Sequence, residues 1–375
     1  MLIAPDNHLG LMALLFAIVG VCCWAERFAW ASRASAPVLV ILLALVLSNL
    51  GLIPREAPSY GFVSEYFVMA AIPLLLFKAD LRLIVAETGR LLFAFLLAAG
   101  GTVLGVFVAF FLVPVGDVAP QAAAVITGGY TGGGMNFVAV SKVVGLDDPT
   151  RFAVVLGAEA SVGLAYLMLL SAMPAFAWFA RWDAASAPPP APAAEPEPQA
   201  AADGPDLTHM GLALGLSLTV CAVGTGLAAL AGQPRFAILA ITVIAIALAN
   251  LARRQMQALK GDFTLGMLLL YVFFGVFGAG VDLVSMLRQA PLLMLFAFVI
   301  IAAHALVAFG LGRLFGFSAR ELAIASNACV LGPPTAAALA ARSGWHELVT
   351  PGILCGIFGY LIGNFLGAGV FELLR

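Results

Sequence analysis

Charge is scarce in this chain. Only 10% of its 375 residues are Asp, Glu, Lys or Arg, and the formal net charge is −2. A soluble globular domain carries roughly 25% charged residues, so the composition excludes one. A balance this close to neutral, with no basic cluster, gives nucleic acid nothing to bind. Catalytic signatures are missing too: there is no H-E-x-x-H, no G-x-S-x-G and no P-loop. The five cysteines (Cys22, Cys23, Cys221, Cys329 and Cys355) fit no disulfide framework and no metal pattern, and read as small buried apolar groups.

What the chain has is hydrocarbon, with 63% hydrophobic residues and a mean hydropathy of +1.06. A spanning helix takes about 20 apolar residues. By that ruler there are about twelve segments, at 8–25, 35–53, 61–77, 91–114, 120–145, 152–180, 208–231, 235–252, 263–281, 290–312, 320–343 and 350–372. The first has no positive charge ahead of it, whereas Arg27 and Arg33 follow. It reads as a retained helix with its N-terminus outside, not as a signal peptide. The fold class is therefore an all-α polytopic membrane protein, multi-pass in a bacterial inner membrane. Residues 183–206, DAASAPPPAPAAEPEPQAAADGPD, form a soluble Pro/Ala/acidic linker between a first membrane repeat, 1–182, and a second, 207–375.

The two parts share landmarks in order. SNLG (48–51) corresponds to ANLA (249–252), Asp80-Leu81 to Asp282-Leu283, and the glycine cluster at 127–134 to SNACVLGPPT at 326–335, each about 200 residues apart. Interrupted hydrophobic segments at corresponding places in two repeats point to a transporter binding site. If every segment crosses, Lys and Arg divide almost evenly between the faces. If 120–145 and 320–343 are re-entrant hairpins, twelve of the 18 fall on one face and six on the other. The positive-inside rule prefers that arrangement. It gives inverted repeats, each with about five spanning helices and one interrupted segment. Broken helices that cross remain the alternative.

Five of the eight residues in TGGYTGGG, 127–134, are glycine. Glycine is the costliest ordinary residue in a helix, at roughly 1 kcal/mol relative to alanine. In lipid an unwound backbone has no water to bond, so such a break belongs where it lines a protein cavity. Close packing of small residues is the blander reading, but packing motifs repeat at four-residue spacing and these glycines are contiguous. After the break a half-helix restarts near Asn136, and Gly332-Pro333-Pro334-Thr335 does the same in the second half. Two half-helix N-termini would offer an anionic or polar ligand a positive dipole end, and unwound carbonyls would suit a cation.

The candidate substrate and ion ligands are Thr127, Gly128, Gly129, Thr131, Gly132, Gly133, Gly134, Asn136, Glu159, Ser326, Asn327, Gly332, Pro333, Pro334, Thr335 and Asn364. Glu159 is an intramembrane carboxylate, costly to bury and suited to a cation or a proton. Glu159 and Asn136 are the candidate sodium ligands. His304 reads as a packing histidine, and Lys78, Asp80 and Asp282 as helix-end residues.

GGYTGGGMNFVAV, the Ala/Pro linker and GPPT together resemble domain-of-unknown-function family 819, the YjcL-like membrane proteins, over nearly the whole chain outside the linker. That family is grouped with inverted-repeat carriers such as bile acid:sodium symporters, sodium–proton antiporters and glutamate:sodium symporters. The grouping implies a core domain moving against a scaffold, often in a homodimer. The chain lacks the antiporters' paired aspartates and has one more hydrophobic segment per half than the bile acid symporters. The reading is a secondary active transporter, sodium- or proton-coupled, not an enzyme and without a cofactor. It would carry a small polar or anionic organic solute through the bilayer by elevator-type alternating access. A membrane-embedded enzyme using Glu159 or His304, or a passive channel, is the alternative.

Overall fold

A computed structural model describes residues 2–28, 36–186, 206–281 and 283–375. Asp282 and most of the linker, 187–205, lie outside the described residues. In order the helices are α1 (His8–Ala25), α2 (Ala36–Asn49), α3 (Pro58–Leu76), α4 (Leu81–Thr88), α5 (Arg90–Leu112), α6 (Ala119–Val143), α7 (Pro149–Ala172) and α8 (Ala177–Ser186). After the linker come α9 (Leu207–Leu230), α10 (Ala237–Leu251), α11 (Arg253–Ala258), α12 (Asp262–Gly280), α13 (Leu283–Leu314), α14 (Ala319–Leu331), α15 (Pro333–Arg342) and α16 (Val349–Leu374). There is no strand among the described residues. Nine helical stretches among them are long and apolar enough to cross a membrane. The second apolar segment is the short one, with Leu39–Asn49 as its apolar part.

Polar caps set where the helices start. Asp80 accepts from the amides of Arg82 and Leu83, and Asp148 accepts from that of Arg151 at 2.7 Å. Ser318 and Glu321 close a capping box at the start of α14. Inside α3, Pro73 cannot donate to the carbonyl of Met69, four residues back. The Cys221 thiol of α9 donates to that carbonyl instead (3.1 Å), and the Ser217 hydroxyl donates to Ala70 O (2.6 Å). Cys221 is thus more than an apolar filler, and Cys23 is exposed rather than buried.

The helices pack as two groups. One gathers α1, α2, α3, α9, α10 and α12; the other gathers α5, α6, α7 and α13 to α16. The interrupted segments lie in the second group, and both turn back on themselves. In α6 the Gln121 side chain, in the first turn, donates to the carbonyls of Val144 (3.2 Å) and Gly145 (3.0 Å), just past the last. Arg151 then meets Asp117 at 3.1 Å. Both ends of α6 are therefore at one place, and α6 is a hairpin, not a crossing rod. The pair α14–α15 is a second hairpin: Thr335 donates to Asn327 Oδ1 across the bend at 2.7 Å, and Arg320 at one end reaches Glu347 beyond the other at 2.9 Å.

The hairpins open at opposite ends of α5. At its start, Arg90 pairs with Glu321 at 3.2 Å and donates to Gly316 O at 2.8 Å, beside the mouth of hairpin two. Its far end leads through Asp117 into hairpin one. A helix of 23 residues separates the two mouths by about 35 Å.

The landmark asparagines make reciprocal bonds between the halves. Asn49 Nδ2 donates to Val281 O at 3.0 Å, and Asn250 Nδ2 donates to Ala79 O at 3.0 Å. Each thus holds the end of the third span of the other half, and Asn250 Oδ1 also accepts from Leu81 N at 2.9 Å. Asn49→Ala and Asn250→Ala are each expected to cost about 1–3 kcal/mol by leaving those backbone groups unpaired, read as a lower Tm in detergent. The exposed control Gln255→Ala should leave Tm unchanged. Two asparagine variants as stable as the parent would contradict this role.

Candidate functional site

Both hairpins bend at a glycine in the same conformation. Gly133 has φ 74° and ψ −176°; Gly332 has φ 85° and ψ −173°. Only glycine adopts this region without strain. The ring of Tyr360 on α16 lies against both bends. A methyl group on Gly133 would sit 3.7 Å from Tyr360 Cε1, and one on Gly332 would sit 3.6 Å from the Tyr360 hydroxyl oxygen. The two tips therefore meet at one aromatic side chain.

The remaining glycines of the cluster do different work. A Cβ on Gly128 would press on Val140 and on the carbonyl of Asn136, so Gly128 lets the two arms of hairpin one close. A Cβ on Gly129 would lie 2.8 Å from Glu159 Oε1, so Gly129 admits that carboxylate. A Cβ on Gly132 would lie 2.5 Å from Asn136 Oδ1 and 2.6 Å from Gly359 O. Gly134 is exposed, and a side chain there meets nothing within 4 Å. From the other side, Gly356, Gly359, Gly363 and Gly367 of α16 present bare backbone. Gly356 faces Pro333, Gly359 the Thr131 carbonyl, Gly363 the Asn136 amide and Gly367 the Ala124 carbonyl.

Burial without a partner marks the polar residues at the tips. Seven buried side-chain atoms among the described residues lack a hydrogen bond, and four belong to the candidate ligands: Thr131 Oγ1, Asn136 Oδ1, Asn327 Nδ2 and Asn364 Oδ1. The asparagine orientations follow from their other bonds. Asn136 Nδ2 donates to Tyr360 O (3.0 Å), Asn327 Oδ1 accepts from Thr335 (2.7 Å), and Asn364 Nδ2 donates to Thr242 Oγ1 (3.1 Å). Each buried orphan costs about 1–3 kcal/mol, so the tips hold more unmet polarity than a packing contact explains. Glu159 differs: its side chain has no hydrogen-bond or ion-pair partner among the described residues, but its oxygens are not among the enclosed orphans, and its main-chain carbonyl accepts from the Tyr130 hydroxyl at 2.8 Å.

Other candidates are already occupied. Thr127 donates to Ala123 O of its own helix at 2.7 Å. Ser326 is bonded by both Tyr166 (2.7 Å) and His304 Nε2 (2.8 Å), while His304 Nδ1 meets Thr102 at 2.9 Å. This closed chain ties together α5, α7, α13 and hairpin two. Pro333 and Pro334 also change the expectation for hairpin two. Proline carries no N–H, so the first two positions of α15 cannot donate to an anion. Hairpin one, restarting with Gly134-Met135-Asn136, keeps those donors.

Tyr360 and the glycine stripe of α16 were not singled out from the sequence. The stripe had a signal, glycines at three- and four-residue spacing in GIFGYLIGNFLG. Tyr360 had none. Between the tip of hairpin one and helices α3 and α12 lies a cavity of about 100 Å³ that Gly134 and Tyr360 help to line. Among the described residues no three His, Cys, Asp or Glu gather as a metal centre.

The glycine geometry predicts a graded series. Gly132→Ala and Gly133→Ala should each cost about 1–3 kcal/mol, through overlap and through the backbone region respectively. Gly134→Ala should stay within about 0.5 kcal/mol. Thermal melting of the purified variants reads the order, and a uniform series would contradict it.

Two comparisons bear on this arrangement. Residues 13–375 match the family described as "Protein of unknown function (DUF819)". The chain is also 35% identical over 370 residues to "Uncharacterized membrane protein YjcL" of Bacillus subtilis (strain 168), covering 91% of this chain and 90% of that protein.

Proposed function

The chain belongs to the DUF819 family, and from that premise we propose that it is a secondary active transporter of the bacterial cytoplasmic membrane. The observation that carries the proposal is the meeting of two glycine-bent hairpins at Tyr360, with four unpartnered polar atoms on and around them. A buried orphan persists where something else completes it, and here the completing partner is cargo.

The halves act as inverted repeats. The reciprocal bonds of Asn49 and Asn250, the matched glycine bends and the opposite mouths of the hairpins support this. The hairpin-bearing group is the moving core, and the other group is the scaffold, as elevator-type alternating access requires. The face richer in Lys and Arg is cytoplasmic. Three of the orphans (Thr131 Oγ1, Asn136 Oδ1 and Asn364 Oδ1) are oxygens suited to sodium, and Glu159, set against Gly129, offers the negative charge for sodium or a proton. The solute is a small polar or anionic organic molecule. Two copies assemble through the scaffold.

An enzyme would need a reactive group open to substrate. Ser326 and His304 stand at nucleophile-to-base distance, but both are fully buried and neither lines the cavity at the tips.

Sodium alone tests the coupling. On a solid-supported membrane, a sodium concentration jump is expected to give a transient charge displacement in the parent chain. Glu159→Gln should abolish it in folded protein, whereas Thr127→Ala, whose hydroxyl serves its own helix, should keep it. Proteoliposomes should also take up solute from a metabolite mixture faster with a sodium or proton gradient than without. No current and no gradient-dependent uptake would refute the transporter.

A further inference from the structure

The cavity at the tip of hairpin one has two unlike walls. Gly134, Met135 and Tyr360, the lining residue with a polar side-chain group, form one. Thr131 Oγ1 and Asn136 Oδ1, on the same hairpin, are fully buried behind it and do not line the cavity. Leu75 of α3 and Phe263, Met267 and Phe274 of α12 form the other. Among the described residues no Asp, Glu, Lys or Arg lines it, and its volume is about 100 Å³. The apolar wall belongs to the group of helices on which the hairpins do not lie, so the cavity sits at the seam between the two groups.

These walls ask for different chemistry at the two ends of one molecule. Apolar surface in a preformed cavity is best covered by hydrocarbon. A multiply charged anion would lose its water there with no cation to replace it. The hairpin wall, by contrast, carries the Tyr360 hydroxyl and the first amides of the half-helix that restarts at Gly134 and Met135. We infer that the transported solute is amphipathic, with a polar or singly charged head at the hairpin tips and an apolar body of a few carbons against α3 and α12. This rests on the transporter reading and narrows it: phosphate and polycarboxylates are excluded as cargo.

Protection of a single thiol tests the inference. Gly134→Cys is the reporter, because a side chain at that position meets nothing within 4 Å. The full chain is placed in lipid nanodiscs, and the rate of modification by N-ethylmaleimide is followed, with the parent chain giving the background from the native cysteines. The probes are 4-methylpentanoate, acetate and tricarballylate. The first should slow modification about tenfold when raised to ten times its half-protecting concentration. Acetate and tricarballylate at the same concentration should leave the rate unchanged, and adding Phe274→Asn to the reporter should remove the protection. Met267→Gln is read in the same way should Phe274→Asn not fold.

Equal protection by all three probes, protection by acetate or tricarballylate alone, or no protection at all would overturn the amphipathic solute. The sodium-jump currents separate this from the transporter reading. Currents without protection leave a transporter of some other solute, and protection without currents or uptake leaves a binding cavity in a protein that moves nothing.

Discussion

A helix bent inside a bilayer exposes amides and carbonyls that lipid cannot satisfy, and the surroundings of both hairpin tips answer to that demand. The Tyr130 carbonyl, in the last turn before Gly133, accepts from the Cys329 thiol at 3.1 Å, with the Thr102 hydroxyl at 3.5 Å. The Asn136 side chain binds α16 through Tyr360 O. The same solution appears away from the site, where Cys221 serves the carbonyl left bare by Pro73. Four side-chain atoms at and beside the tips are left over. On the transport proposal, these are the atoms that cargo or its coupling ion would complete.

The two hairpins are not equivalent. Hairpin one is gripped by the glycine face of α16, where backbone meets backbone at Gly359 and Gly367. Such close approach holds its arms firmly. Hairpin two is tied instead by side chains: the Tyr166–Ser326–His304–Thr102 chain on one arm, and Thr335 to Asn327 across the bend. Its tip begins with two prolines, and Pro334 is exposed. On the transport proposal, hairpin one holds the cargo and hairpin two, with fewer backbone contacts and no amide donors at its start, is the arm free to move.

Much of this fold was legible in the sequence. The apolar segments fall on the observed helices because helix length in a bilayer is fixed by hydrocarbon thickness. The hairpins were legible through charge, since only folding back 120–145 and 320–343 puts the Lys and Arg surplus on one face. The glycine cluster announced a bend, but not which glycine makes it. Gly132, Gly133 and Gly134 look alike in sequence, and only the fold separates close approach, backbone dihedral and open space. Tyr360 was invisible, because an aromatic in an apolar run carries no sign of what it touches. Ser326 looked available and is not, since its partners Tyr166 and His304 come from helices distant in the chain. Long-range pairing of that kind leaves no local pattern.

The two hairpins open at opposite ends of α5 and meet at Tyr360, and the transport proposal requires that they enter the bilayer from opposite faces. Sidedness measures it most directly. Single-cysteine variants at Asp147, beyond the mouth of hairpin one, and at Glu347, beyond the mouth of hairpin two, are made in a chain freed of native cysteines. They are then treated in intact cells with a membrane-impermeant thiol reagent. Position 147 should be modified in intact cells, together with a control at Asp117, and position 347 only after permeabilisation. Modification of 117 and 147 from different sides would mean that α6 crosses the membrane, and modification of 147 and 347 from the same side would mean that the hairpins do not oppose each other.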